Sequence, residues 1–267
     1  MKYSDLRKFP EIKTNDRILV LAPHIDDEVI SSAGIIQQAK QKKAEVIIVY
    51  ATNGDDPLYT GIKRLLGPNW FISFGKKRMA EARKAAPFLS LNNDNLVFLG
   101  YPDNGLKPMF DNKAAFTSKS TRLNYSPYSD TYCQKQLYTG ENLISDLINI
   151  TADFKPTVVI VPHPKDNHPD HQSLFWFWQK AMAGNNLNSN QYTYLVHFKY
   201  YPPKRGWLRP PTRLAGSNCW YSFDLSLVQR QKKLGAIKAN ASQLSRFSIS
   251  HLLKSLVRGN EIFEKID

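Results

Sequence analysis

Cysteine is scarce in this chain of 267 residues: there are two, Cys133 and Cys219, far apart and without a CxxC partner. That count argues against a disulfide scaffold and against a thiolate zinc site. No apolar stretch approaches the roughly 18 residues that span a bilayer. The N-terminal residues 1–17 are charged and have no continuous apolar segment, so no secretory signal is expected. The glycine-rich fingerprint of dinucleotide sites is missing after the first apolar run, which argues against an NAD enzyme. No zinc-finger, RRM or helix-turn-helix signature occurs, so nucleic acid is not an expected partner. Internal repeats and low-complexity tracts are absent. These absences describe an expected cytoplasmic, reduced protein.

Hydrophobic residues make up 42% of the chain, enough for a sizeable core. The strongest patterning lies between residues 17 and 200, so we expect one domain over 1–267, with a core of about 17–200 and an extension over 201–267. The formal net charge of +13 suits an anionic substrate or membrane surface, or is simply a lysine-rich solvated surface.

Periodicity gives the elements. Residues 17–23, 45–51, 96–99, 157–161 and 192–198 are apolar, largely β-branched runs and are predicted strands. Helices are predicted from Asp26 onward, over 76–86 with Pro87 as terminator, over 141–154 and over 170–182. Residues 104–138 form a long polar connection of the kind that serves as a lid. From Ser222 onward the pattern is amphipathic helix rich in Lys and Arg, and its 229–265 portion either lies on an anionic membrane or is a solvated face. Alternating strands and helices predict an α/β fold: a Rossmann-like, mostly parallel sheet flanked by helices, with a C-terminal helical extension.

Two clusters carry chemistry. His24-Ile25-Asp26-Asp27-Glu28 follows the first strand, and His168-Pro169-Asp170-His171 follows the fourth. Such residues are not tolerated inside strands, so both belong at carboxyl ends, where open α/β sheets bind ligands. Catalytic zinc commonly takes two His and one carboxylate and leaves a position for water. The two clusters supply that set with a base to spare. The alternative for the first cluster is a helix N-terminus with acidic first-turn residues, which is the reading favoured for Glu28.

Pro23-His24-Ile25-Asp26-Asp27-Glu28 resembles the first motif of the PIG-L/LmbE-like family of metal-dependent de-N-acetylases, with Ile25 in place of the family's second proline. His168-Pro169-Asp170-His171 matches its later motif in full. Arg78-Met79-Ala80-Glu81 and Leu99-Gly100-Tyr101-Pro102-Asp103 resemble two further segments in the family's order. The resemblance implies hydrolysis of the N-acetyl group of an N-acetylglucosamine-type sugar or glycoconjugate. It implies Zn2+ held by His24, Asp27 and His171, a donor set that Fe2+ also accepts. It makes Asp26 the general base, a protonated His168 the oxyanion or acid partner, and Asp170 the residue that orients His168. Arg78 and Asp103 become sugar contacts; the structural alternatives are an i,i+3 pair of Arg78 with Glu81 and an ordinary turn at Asp103. Hydrolysis of another amide, or non-catalytic binding of a sugar or lipid phosphate, are the alternative functions.

Other residues are read as background. His163 is expected as a loop histidine on the rim, His197 either reaches the site or is structural, and His251 is a surface residue. Asn53 and Asp55 belong to a turn that either shapes the rim or is ordinary. The aromatic run Phe175 to Trp178 is expected mostly in the core.

Overall fold

The computed structural model describes residues 5–57, 66–185, 187–215, 219–245 and 247–266. Their strands are β1 (Arg7–Lys8), β2 (Arg17–Ala22), β3 (Glu45–Thr52), β4 (Leu96–Tyr101), β5 (Val158–Pro162), β6 (Asn190–Tyr194), β7 (Trp220–Asp224) and β8 (Asn260–Ile266). The helices are α1 (Asp27–Gln41), α2 (Pro68–Ala85), α3 (Leu106–Asp111), α4 (Gly140–Phe154), α5 (Pro169–Met182), α6 (Leu227–Ala239), α7 (Ala241–Leu244) and α8 (Phe247–Ser255). None of the described helices is long and apolar enough to cross a membrane.

All eight strands form one sheet in the order β1-β7-β8-β6-β5-β2-β3-β4. Strands β4, β3, β2, β5 and β6 pair in parallel. Alternate residues of β2 explain the double covering: Ile18, Val20 and Ala22 pack with α1 residues such as Val29 and Ala33, while Leu19 and Leu21 pack with Leu143, Leu147 and Leu174 of α4 and α5. Chain order reverses between β2 and β5, which opens a crevice beyond their carboxyl ends. Both sequence motifs leave the sheet there.

One prediction needs correction at the C-terminal side. The segment from Ser222 onward is not continuous helix: it contributes β7 before α6, and β8 after α8. β8 runs antiparallel between β6 and β7, in the interior of the sheet. Its Glu261, Glu264 and Lys265 give it the look of a solvated helix, yet Glu261 and Glu264 are buried with partners. Lys233, in the segment read as a solvated or membrane-facing surface, is also wholly buried. The connection over 104–138 meets the crevice at Asn104. It packs onto the body through Tyr128, whose hydroxyl donates to Asp55 Oδ2 at 2.7 Å. The apolar rim of the crevice comes from Ile249, Leu252 and Leu253 of α8.

Helix α2 also starts earlier than its apolar spacing suggests, at Pro68, and ends at Ala85 before a short 3-10 turn containing Pro87. In α5, Phe175, Phe177 and Trp178 are core residues as expected, while Trp176 faces outward.

Candidate metal centre

The turn from β2 into α1 is held on three sides. Glu28 accepts the Asp26 N–H at 3.1 Å and the Tyr50 hydroxyl at 2.8 Å. Arg78 donates to the Ile25 carbonyl, and Ile25 itself is buried in the core. The tightly held turn leaves Asp26 in the left-handed region at φ 110°, a conformation uncommon outside glycine. The Asp26 side chain makes no helix cap; it lines the crevice. Asp27 turns the other way: its Oδ2 accepts the His24 N–H at 2.9 Å.

Three imidazoles and this carboxylate converge. Asp27 Oδ2 lies 3.3 Å from His24 Nδ1 and 3.3 Å from His171 Nε2. The rings of His24 and His168 stand 4.7 Å apart, and those of His24 and His171 5.4 Å apart. Ligand atoms of His24, His168 and His171 lie within 4.8 Å of one another, as do those of Asp27, His171 and His197. His197 therefore reaches the site, its ring 5.0 Å from that of His171.

The donor set fits a divalent ion on two counts. Ligands at zinc distances of about 2.0–2.1 Å around a tetrahedral centre stand about 3.3 Å from each other, the spacing seen around Asp27 Oδ2. His171 is fully buried, and neither of its ring nitrogens has a hydrogen-bond partner. Such an atom is costly unless something else satisfies it.

A further layer of carboxylates faces the histidines' other nitrogens. Asp166 Oδ2 lies 3.4 Å from His171 Nδ1. Asp103 Oδ1 and Asp170 Oδ2 lie 3.3 and 3.4 Å from His24 Nε2. This is the usual arrangement for orienting metal-binding imidazoles. The Asp170 carboxylate accepts the Asn104 and Leu106 N–H groups and faces His24, while its backbone N–H meets His168. Asp166 has no counterpart among the predicted site residues. It is buried, accepts the N–H groups of His168, Val196 and His197, and ties the β5–α5 loop to the end of β6.

Charge follows from this packing. Burial pushes Asp26 up to about 7; Arg78, 3.6 Å away, pulls it down and Asp27 pushes it up. Burial opposes the charge on His171, but Asp27 and Asp166 outweigh it and raise its pKa. Asp27 is held well below the carboxylate range by His171 and His24 despite its burial. His168 goes the other way, down to about 3, through burial and the neighbouring His24 and His171. Its Nδ1 accepts the Asp170 N–H at 3.2 Å as the cap of α5. A neutral imidazole that accepts at Nδ1 carries its proton on Nε2.

Arg78 is buried against Ile25 and Asp26 on the crevice wall, and Glu81 is engaged elsewhere, accepting from Ser242. Asp103 sits at the crevice with one oxygen on His24 and the other accepting the Asp56 N–H. Asn53 and Asp55 are wholly buried, not on the rim. His163 is also buried, stacked on Trp220 and bonded through Nε2 to Glu264 Oε2 at 2.5 Å. Its rim reading fails because the partner strand, β8, was not anticipated. His251 is exposed as expected. The crevice has a volume of about 250 Å³.

Residues 19–182 match the family model described as PIG-L, GlcNAc-PI de-N-acetylase. No curated protein matches the chain. Similar solved structures include the N,N'-diacetylchitobiose deacetylase from Pyrococcus horikoshii, with a TM-score of 0.59 and 20% identity over 93% of this chain and 83% of that one. A deacetylase of the teicoplanin biosynthesis pathway gives 0.60 and 17% over 93% and 97%. GalB, the 4-carboxy-2-hydroxymuconate hydratase from Pseudomonas putida, gives 0.58 and 16% over 94% and 95%. At such identities these likenesses establish the fold, and the hydratase among them shows that the fold alone does not fix a reaction.

Proposed function

We propose that this chain, which belongs to the PIG-L (GlcNAc-PI de-N-acetylase) family, hydrolyses the N-acetyl group of an N-acetylglucosamine-type sugar or glycoconjugate and releases acetate. The observation that carries the reading is the division of labour between adjacent aspartates: Asp27 faces two imidazoles at 3.3 Å, while Asp26 lines the crevice free of any cap.

His24, Asp27 and His171 would hold the metal, for which we propose zinc; ferrous iron suits the same donors. A bound divalent ion supplies Lewis acidity and lowers the pKa of water toward about 7. Asp26 takes the proton of the attacking water, a task matched by a carboxylate raised toward neutrality. As the amide carbonyl oxygen gains charge, the Nε2–H of neutral His168 donates to it. The Asp170 N–H that His168 Nδ1 accepts suits a neutral, hydrogen-bonding electrophile and not an acid. The proton held by Asp26 then goes to the departing amine. Arg78 acts on Asp26 by charge and on the turn by its bond to Ile25; Asp103, Asp166 and Asp170 position the histidines.

Acetate release from N-acetylated sugars, measured together with metal content, tests this. Asp26→Asn should keep the metal and lose about 10²–10⁴-fold in turnover. His171→Ala should lose the metal as well. Full activity of Asp26→Asn would remove Asp26 as the base, and unchanged metal content in His171→Ala would remove His171 from the ligands.

A further inference from the structure

The positive charge of the chain is segregated. Residues 171–260 contain 13 Lys and Arg and a single acid, Asp224, so this third of the sequence carries +12 of the +13. Part of it, residues 198–213, lines a cleft of about 850 Å³ together with Asn167. Lys199, Lys204, Arg205, Arg209 and Arg213 surround the cleft, and all five are exposed. Among the described residues none of the five has a carboxylate within ion-pair distance.

The cleft and the metal crevice share a wall. Asn167 lines the cleft and the next residue, His168, lines the crevice; Phe198 lines the cleft and His197 before it lines the crevice. A backbone hydrogen bond from Asn167 N–H to the His197 carbonyl, at 2.6 Å, joins the two strips. The scaffold beneath is anchored. Asn260 of β8 clamps Leu208 through both its N–H and its carbonyl, and Arg258 donates to the carbonyls of Pro203 and Lys204.

Size makes the pairing informative. Pockets that enclose a whole ligand usually hold about 300–1,000 Å³. At about 250 Å³ the metal crevice takes the acetamido end of a substrate, and the remainder must lie on adjoining surface. Three arginines and two lysines without counterions supply the donors that phosphate oxygens accept, and more charge than a single carboxylate calls for.

We propose that the cleft over residues 198–213 is a subsite of the same active site that accepts a phosphate or diphosphate group attached to the acetylated sugar. This rests on the deacetylase reading above, which it narrows to phosphorylated substrates.

The test compares the metal-loaded wild type with the combined variant Lys204→Glu, Arg205→Glu, Arg209→Glu. Substrates are free N-acetylglucosamine, its 1-phosphate, a nucleotide-diphosphate-linked form and a lipid-diphosphate-linked form in detergent. We expect the variant to raise KM for the phosphorylated sugars at least about tenfold, since one exposed charge contact is worth about fivefold. Turnover of the free sugar should stay unchanged, which also shows that the variant is folded. Added salt should raise the wild-type KM for phosphorylated sugars only. The lowest KM among the phosphorylated forms identifies the source of the phosphate. An equal KM change for neutral and phosphorylated sugars overturns the subsite. So does loss of the variant's binding to anionic vesicles with no change in KM for the soluble phosphorylated forms, an outcome that makes the cleft a membrane contact. If no substrate yields acetate, the deacetylase reading fails separately. Calorimetric binding of the 1-phosphate then decides the cleft: binding weakened in the variant supports it, and equal binding in both proteins overturns it.

Discussion

Glu28 is the residue whose protonation the fold controls most plainly. Burial pushes its carboxyl from the ordinary 4.5 up to about 8, against the bonds from Tyr50 and Asp26 that favour the charged form. The folded state holds this proton more tightly than the unfolded chain. Its contribution to stability is therefore fully present below about pH 4.5 and is lost as pH rises through about 8. Glu28→Gln copies the neutral form, accepting from Asp26 and donating to Tyr50. Urea unfolding should find the variant more stable than wild type by a few kcal/mol at about pH 9 and similar to it at about pH 5. Asp166→Asn should weaken metal binding about 10–100-fold in a chelator titration, because the carboxylate facing His171 is then gone, and should cost about 1–3 kcal/mol of stability, because an amide NH2 cannot accept the N–H groups that one of the two oxygens now takes. His24, Asp26, Asp27, His168 and His171 are legible in the sequence because they lie in two compact motifs beside apolar runs. Asp166 is not, since its role exists only once the β5–α5 loop folds against β6. The cap that His168 makes on α5 is hidden for a similar reason: it depends on which backbone N–H its ring accepts.

Among the elements, α1 depends on a contact far away in sequence. Lys233 of α6 is wholly buried and donates to Glu261 of β8 and to the Ile30 carbonyl of α1, both at 2.8 Å. Glu261 in turn accepts the Gly34 N–H. Glu261→Ala leaves an ammonium ion without its counterion and should cost about 3–5 kcal/mol in chemical denaturation. The double variant Lys233→Met, Glu261→Gln should recover most of that loss, since no lone charge remains and Gly34 keeps an acceptor. The strands β2, β3 and β5 were legible because burial on both faces selects unbroken β-branched runs. Strand β8 was not, because its charged residues are neutralised by partners that no local pattern announces.

At the scale of the whole molecule, the parallel order of β4, β3, β2, β5 and β6 makes the two motifs neighbours although about 140 residues separate them. A metal bound there links residues after β2 to residues after β5. At a hundredfold excess over its dissociation constant, such an ion adds about 2.7 kcal/mol. Chelation should lower Tm by about 5–10 °C and abolish acetate release, with both restored by zinc. Alternating strands and helices made this architecture legible; the position of the last strand was beyond reach. Residues 260–266 slot between β6 and β7, so during synthesis both flanking strands present bare inner edges until this stretch has left the ribosome exit tunnel. The sheet closes only then, and the growing polypeptide calls for chaperone holding until residues 260–266 emerge.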